Sequence, residues 1–380
     1  MIPPELYDEI KRENCIIFAG AGISTEGGVY GGHFTFYDSI KKECNYPTSQ
    51  EDPSFPDVMQ NFCKRKDGRK KNLLTRKIID RIESFSQKGE INTFTTFFHR
   101  EVTLNPFFRI IVTTNWDTFF ERSLNILVPM VEDRDIPFWD DRKRQILKIH
   151  GCVTRPYTIV VTKDDYNNLI KNKNNILIFT KLKDLMATKT FIFVGYSMQD
   201  PNIKIIYCDL LKSMGEFSRL SYAVDPNPKK ETINEWKKQN VRIIKEDGFG
   251  FLREINDRLV NEKIIPDPEL VHYFTDQFNQ ISKIHGFYSQ NQLKNLTSLR
   301  YQDGLLFELN YVLSNSKYGI KIADLKDRLN KKTRILKKYQ KENHFIEIPF
   351  WTGSVEILKR FLMGKKEPIP FDFFNKEKKK

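Results

Sequence analysis

The most constraining stretch of this chain is Ile16 to Glu26, IIFAGAGISTE, in which an apolar run passes directly into Gly20-Ala21-Gly22 and then the hydroxyl of Ser24. An apolar run of this length bounded by glycine reads as a buried parallel strand. The glycines allow a tight turn and let the backbone approach a pyrophosphate, whose charge meets amide N–H groups at the start of the next helix. An ordinary tight turn would look the same at this one position, so the reading depends on what accompanies it.

Three further segments share the pattern of an apolar strand ending in a polar turn. RIIVTTNWDTFFERSL, from Arg109, places Asn115 and Asp117 just past a strand. ILKIHGCVTRP, from Ile146, does the same with His150 and Gly151, and FIFVGYSMQDPN, from Phe191, with Gly195, Tyr196 and Ser197. In an open α/β sheet the carboxyl ends of the strands face one crevice, so segments far apart in sequence converge there.

Strand and helix patterns alternate along the first two thirds of the chain. Helices are expected at Pro3 to Glu13, Leu73 to Phe85, Ile91 to Glu101, Asp117 to Leu127, Asp164 to Leu169, Ile176 to Met186, Asn202 to Met214 and Phe249 to Asn261. Further strands are expected at Tyr222 to Val224 and Val241 to Ile244, and the polar, proline-containing stretch from Lys41 to Pro56 reads as a loop. Such alternation predicts an α/β fold with a doubly wound parallel sheet. The segment IIPDPELV, around Pro266 and Pro268, marks a boundary. We therefore expect a nucleotide-binding domain over residues 1–262 and a smaller, mostly helical region over 263–380, ending in a basic tail.

At 380 residues the chain is long enough for such a division, and 39% hydrophobic residues suffice for a real core. The five cysteines, Cys15, Cys44, Cys63, Cys152 and Cys208, show no pair at metal-ligand spacing, which predicts no structural zinc site. Their odd number, with no secretory leader and no membrane-length apolar run, predicts reduced thiols and a cytoplasmic location. The net charge of +13 is unevenly placed: residues 64–88 carry ten Lys/Arg against three acids, and residues 331–380 carry fourteen against six. These two runs are either solvated helix faces or surfaces for nucleic acid or an acidic partner.

GAGIST, TTNWD, KIHG and VGYSMQDPN, in this order, resemble the sirtuin signatures, and in detail those of the sirtuin-like domains of bacterial antiphage-defence proteins. The resemblance covers about the first 260 residues. It departs from protein-deacylating sirtuins in two places: EGGVYGGHFTFYD follows the first motif without the usual Gly-Ile-Pro segment and aromatic-arginine pair, and the two zinc-holding Cys-x-x-Cys pairs are missing.

The resemblance implies a Rossmann-like sheet without a zinc module, and NAD as substrate with no metal. Asn115 and His150 take the chemical roles. Gly20, Ala21, Gly22, Ser24 and Thr25 are expected at the phosphates, with Gly195, Tyr196 and Ser197 opposite them. Asp117 either orients the site or complements a helix dipole. Asp225 either reaches the adenosine ribose or forms a turn before Pro226.

Cleaving the nicotinamide–ribose bond requires positioning, stabilisation of an oxocarbenium-like ribose and a base for the incoming water. Asn115 suits the first two needs, and His150 the third. Three activities stay open: an NAD hydrolase acting in antiphage defence, an NAD-dependent protein deacylase, and a non-catalytic sensor of NAD or ADP-ribose. The resemblance further implies a homo-oligomer and a HerA-type ATPase partner. Ile346 to Met363, IEIPFWTGSVEILKRFLM, reads either as an interface with an apolar centre or as the core of a small helical domain.

Overall fold

The computed structural model describes residues 2–24, 36–44, 53–64, 70–87, 97–126, 128–169, 175–196, 201–290, 296–317 and 319–370. Two compact units emerge. One comprises residues 1–102 and 107–255, the other residues 103–106 and 256–380.

The first unit is built on six parallel strands: β1 (Cys15–Ala19), β2 (Ile110–Thr113), β3 (Gln145–Lys148), β4 (Thr190–Val194), β5 (Ser221–Val224) and β6 (Val241–Ile244). They lie in the order β3-β2-β1-β4-β5-β6, so the chain winds outward from β1 in one direction and then reverses to wind from β4 in the other. All five residues of β1 and of β4 are buried, as is required of strands covered on both faces. Successive residues point to opposite faces. Ile16, Phe18, Phe191, Phe193, Val112, Leu147 and Ala223 pack with Ile178, Phe179, Leu182 and Leu185 of the helix Ile176–Thr188 and with Ile203, Ile206 and Tyr207 of the helix Pro201–Met214. Cys15 lies inside β1, where burial pushes its thiol pKa up, as befits core filler.

Two expectations need correction between β1 and β2. The expected loop from Lys41 to Pro56 begins within a helix, Phe36–Glu43, and ends within another, Phe55–Lys64. Together with Lys71–Gln87 these helices form a cap with its own core of Ile40, Val58, Met59, Phe62, Leu74 and Ile78. The helix expected from Ile91 is observed at Phe97–Leu104, and residues 91–96 lie outside the described part of the chain.

The second unit contains helices Pro268–Gln290, Leu296–Lys317, Ile322–Lys341 and Glu347–Leu362. Their shared core includes Phe274, Tyr301, Leu305, Leu309, Val312, Leu325, Ile357, Leu358 and Phe361. Of the two readings of Ile346 to Met363, the core of a small helical domain accounts for Val355, Ile357, Leu358 and Phe361, whereas Ile346 and Met363 at its two ends are exposed. A Cβ on Gly304 would sit 1.9 Å from the Phe350 carbonyl oxygen, and one on Gly353 would sit 2.4 Å from that of Tyr301. Helices Leu296–Lys317 and Glu347–Leu362 thus touch backbone to backbone. Beside them the fully buried Glu308 accepts from Ser354 Oγ at 2.7 Å and pairs with Arg328, joining three of the helices. No described helix is long and apolar enough to cross a membrane.

Candidate functional site

The carboxyl ends of the strands stop in one row. Ala19 is level with Thr113 and Val194, Thr113 with Lys148, and Val194 with Val224. Each motif residue follows that row by one or two positions: Gly20 after β1, Asn115 after β2, His150 after β3, Gly195 after β4 and Asp225 after β5. Neighbouring parallel strands lie about 4.8 Å apart, so the four turns beyond β3, β2, β1 and β4 form one continuous rim.

The glycines of the first and fourth motifs cross. Gly20 N donates to Val194 O and Gly22 N to Gly195 O, both at 2.9 Å. A Cβ on Gly20 would meet Gly195 O at 2.3 Å, one on Gly22 would meet Gly195 Cα at 2.7 Å, and one on Gly195 (φ +61°) would meet Ile23 N at 2.4 Å. The glycines are required first by each other; the backbone left bare by their small size then lines the rim. Ala21 is exposed there, while the Ser24 side chain is buried with an Oγ that has no hydrogen-bond partner among the described residues. Thr25 and Ser197 lie outside the described residues.

Asn115 is fixed from both sides of its turn. Its N–H donates to Thr113 Oγ1 at 3.0 Å, and that hydroxyl in turn donates to Ala19 O at 2.9 Å. Its Nδ2 donates to Gly20 O at 3.2 Å, which leaves Oδ1 buried with no partner among the described residues. His150 is also buried, with its ring edge against Tyr166 at 5.1 Å between centroids. The two strand-end turns are stitched together: Ile149 N donates to Thr113 O at 3.0 Å and Val153 N to Trp116 O at 2.9 Å.

Other expected site residues have mixed placements. Asp117 is buried and its Oδ1 accepts from Phe119 N at 3.0 Å, at the start of the short helix Phe119–Leu124. Burial pushes its carboxyl pKa up, against the opposing pull of Lys148. Asp225 Oδ1 accepts from Asn227 N at 2.9 Å and so forms the turn after β5. The Tyr196 ring packs on Phe18, 4.6 Å between centroids, and stacks on Phe193; its ring belongs to the core cluster.

Sequence reasoning passed over Lys148 and Glu121. Lys148 closes β3 with 1% exposure, and its ammonium donates to the Asp117 carbonyl and, at 2.9 Å, to Glu121 Oε1. Burial alone would favour the neutral amine, but Glu121, Cys152 and Asp117 nearby reverse this and raise the lysine pKa. The signal was present: a lysine inside the otherwise apolar run ILKI demands a buried partner. Trp116 was likewise unremarked. It packs against the cap core, with Phe55 at 6.2 Å between centroids, so the Asn115 turn rests on the cap.

Among the described residues no group of three or more His, Cys, Asp or Glu could hold a metal ion. A cavity of about 230 Å³ opens behind the His150 turn, bordered by Ile149, Gly151, Glu132, Tyr157 and Asp164.

A SIR2-like domain matches residues 109–244, a little over a third of the chain. The chain is 28% identical over 225 residues to the NAD(+) hydrolase ThsA of Cytobacillus dafuensis, covering 57% of this chain and 42% of that protein. It is 25% identical over 282 residues to the NAD(+) hydrolase ThsA of Bacillus cereus (strain MSX-D12), covering 67% and 55%. It is 23% identical over 376 residues to the Defense-associated sirtuin 2 of Bacillus subtilis, covering 89% and 35%. The chain spans about half the length of the NAD(+) hydrolases it matches, and the stretch that matches the SIR2-like domain runs from the residue before β2 to the end of β6.

Proposed function

We propose that this chain hydrolyses NAD+ at the nicotinamide–ribose bond, giving nicotinamide, ADP-ribose and a proton, and that this activity depletes NAD in an antiphage response. The observation that carries the reading is Asn115, a buried carboxamide oriented by Gly20 O, whose Oδ1 has no partner among the described residues. An unsatisfied buried acceptor on a rigid turn is costly, and a ribose hydroxyl or a water offers the missing donor. The names of the relatives support the same activity.

In this mechanism the pyridinium leaves as neutral nicotinamide, so no acid is needed for its departure. Asn115 positions the ribose or the water, and His150 takes the water's proton as the oxygen bonds to the anomeric carbon. The Gly20–Gly22 turn and Gly195 hold the diphosphate, with Ser24 beside it, and Asp225 reaches the adenosine ribose; for Thr25 and Ser197 a phosphate-binding role rests on the motif resemblance alone. Asn115→Ala and His150→Ala should each lower nicotinamide release on the order of a hundredfold. Wild-type rates in either variant would overturn the assignment. Because the leaving group is activated by its own charge, release should also persist after thorough chelation.

Assembly belongs to the same proposal. We infer a homo-oligomer, a HerA-type ATPase as partner on the strength of the motif resemblance, and an acidic surface or nucleic acid as the counterpart of the basic helix Ile322–Lys341. The proposed domain boundary at residues 262/263 would separate the catalytic part from this region.

A further inference from the structure

We propose that Lys148 is a positioning residue that locks the Asn115 turn and the His150 turn at their working separation. This inference rests on the NAD-hydrolase reading for its kinetic consequence, though the lock itself is a matter of geometry.

Lys148 lies two residues before His150 and is almost fully buried, so its ammonium points into the protein beneath the rim. There it donates to the backbone carbonyl of Asp117, two residues after Asn115, and to Glu121 Oε1 at 2.9 Å on the helix that follows. One side chain from β3 therefore grips the turn and helix leaving β2. Two backbone bonds flank this grip, Ile149 N to Thr113 O and Val153 N to Trp116 O. The flanking bonds fix the strand ends and the cap side of the turn. Among the described residues it is Lys148 that reaches the carbonyl closing the turn on its helix side.

A buried ion pair is often no more stabilising than apolar residues of the same volume, so thermodynamic stability gives little reason for a lysine here. Geometry gives a better one. A carbonyl at the end of a turn, in contact with a rigid ammonium, cannot swing, and the Asn115 carboxamide two residues earlier inherits that restraint. Glu121 Oε1, at 2.9 Å, serves only as a second acceptor that occupies the ammonium beside the Asp117 carbonyl, a role that a neutral amide oxygen also fills. Misplacing a reacting group by about 1 Å can cost on the order of a hundredfold in rate.

The test compares three full-length proteins. Glu121→Gln keeps an acceptor for Lys148 and its donation to Asp117, and should leave kcat within about threefold of wild type. Lys148→Met with Glu121→Gln removes the grip without leaving a buried charge unpaired. It should lower kcat at least about tenfold with KM changed less than about threefold, while its melting temperature stays close to that of Glu121→Gln. Wild-type kcat in the double variant would overturn the proposal. So would a kcat loss that merely follows a loss of melting temperature. If the wild-type chain releases no nicotinamide, the NAD-hydrolase reading fails, and the lock is judged by the side-chain amide resonance of Asn115. That resonance should move in the double variant and not in Glu121→Gln; no movement would overturn the lock as well.

Discussion

At the scale of single residues, the rim is made by what glycine omits. Gly195 has φ +61° and space for no side chain, since its Cβ would fall 2.4 Å from Ile23 N. Gly215 has a similar φ of +53°, with nothing within 4 Å of its Cβ. The pair separates two costs. Gly215→Ala should lose about 1 kcal/mol, the strain of a left-handed backbone alone. Gly195→Ala adds a clash with backbone that cannot rotate away and should lose about 3 kcal/mol or more, with NAD binding lost alongside. Urea denaturation of the two variants and calorimetric titration with NAD measure both. Equal losses would mean that the crossing of the two motifs is looser than its distances imply. The glycines themselves were legible in the sequence as turn formers, but their contact with one another was not, because β1 and β4 are 170 residues apart and only the sheet order makes them neighbours.

At the scale of elements, regular patterns were legible and polar junctions were not. Strands β1, β5 and β6 stand out as apolar runs, and the helix at Ile176 shows its buried face at helical spacing. Helices Phe36–Glu43 and Phe55–Lys64 were hidden because their flanks are polar and rich in proline, while their apolar faces are completed from elsewhere in the chain, by Leu74 and Ile78 and by Ile159 and Val161 from beyond β3. Asp165 shows how such a junction is held. It accepts from Val161 N at 3.0 Å and Thr162 N at 2.9 Å, while Thr162 Oγ1 accepts from Asp165 N at 3.2 Å, a capping box at the start of the helix Lys163–Leu169. It also pairs with Lys71 of the cap. Burial would raise its pKa, but Lys71 and the two backbone donors outweigh this and lower it. A carboxylate with a lowered native pKa adds stability at pH above its unfolded value, and that contribution disappears as pH falls through the native value. Asp165→Asn should therefore cost about 1 kcal/mol near neutrality, with the difference from wild type shrinking below about pH 4. Thermal melts across the acid range check this. A difference that grows toward low pH would reverse the sign assigned to Asp165.

At the scale of the whole molecule, the basic run of residues 64–88 shares the site's unit and that of residues 331–380 belongs to the other. The polar turns lie on the sheet, and much of the positive charge lies on the helix Ile322–Lys341, where Arg334, Lys337, Lys338 and Lys341 are exposed on one outward face. Phe345 and Ile346, 79% and 61% exposed, follow directly from it. In the helix Glu347–Leu362, Pro349, Val355, Ile357, Leu358 and Phe361 are buried in the core, and Met363, 65% exposed, is a third open apolar side chain at the far end of the same helix. A two-fold contact through this surface would set lysine against lysine, so apolar burial would have to overcome repulsion. Salt screens that repulsion while leaving the apolar term intact. The proposed homo-oligomer, if formed through this surface, should therefore grow in mass as salt rises, and Phe345→Asp with Ile346→Asp should abolish the growth. Association with an acidic partner or nucleic acid through the same lysines would respond oppositely, weakening as added salt makes counterion release less favourable. Light scattering of the full chain at low and high salt distinguishes the two signs. A mass that falls with salt, or that ignores both substitutions, would remove this surface from the self-assembly and leave its lysines to a partner of opposite charge.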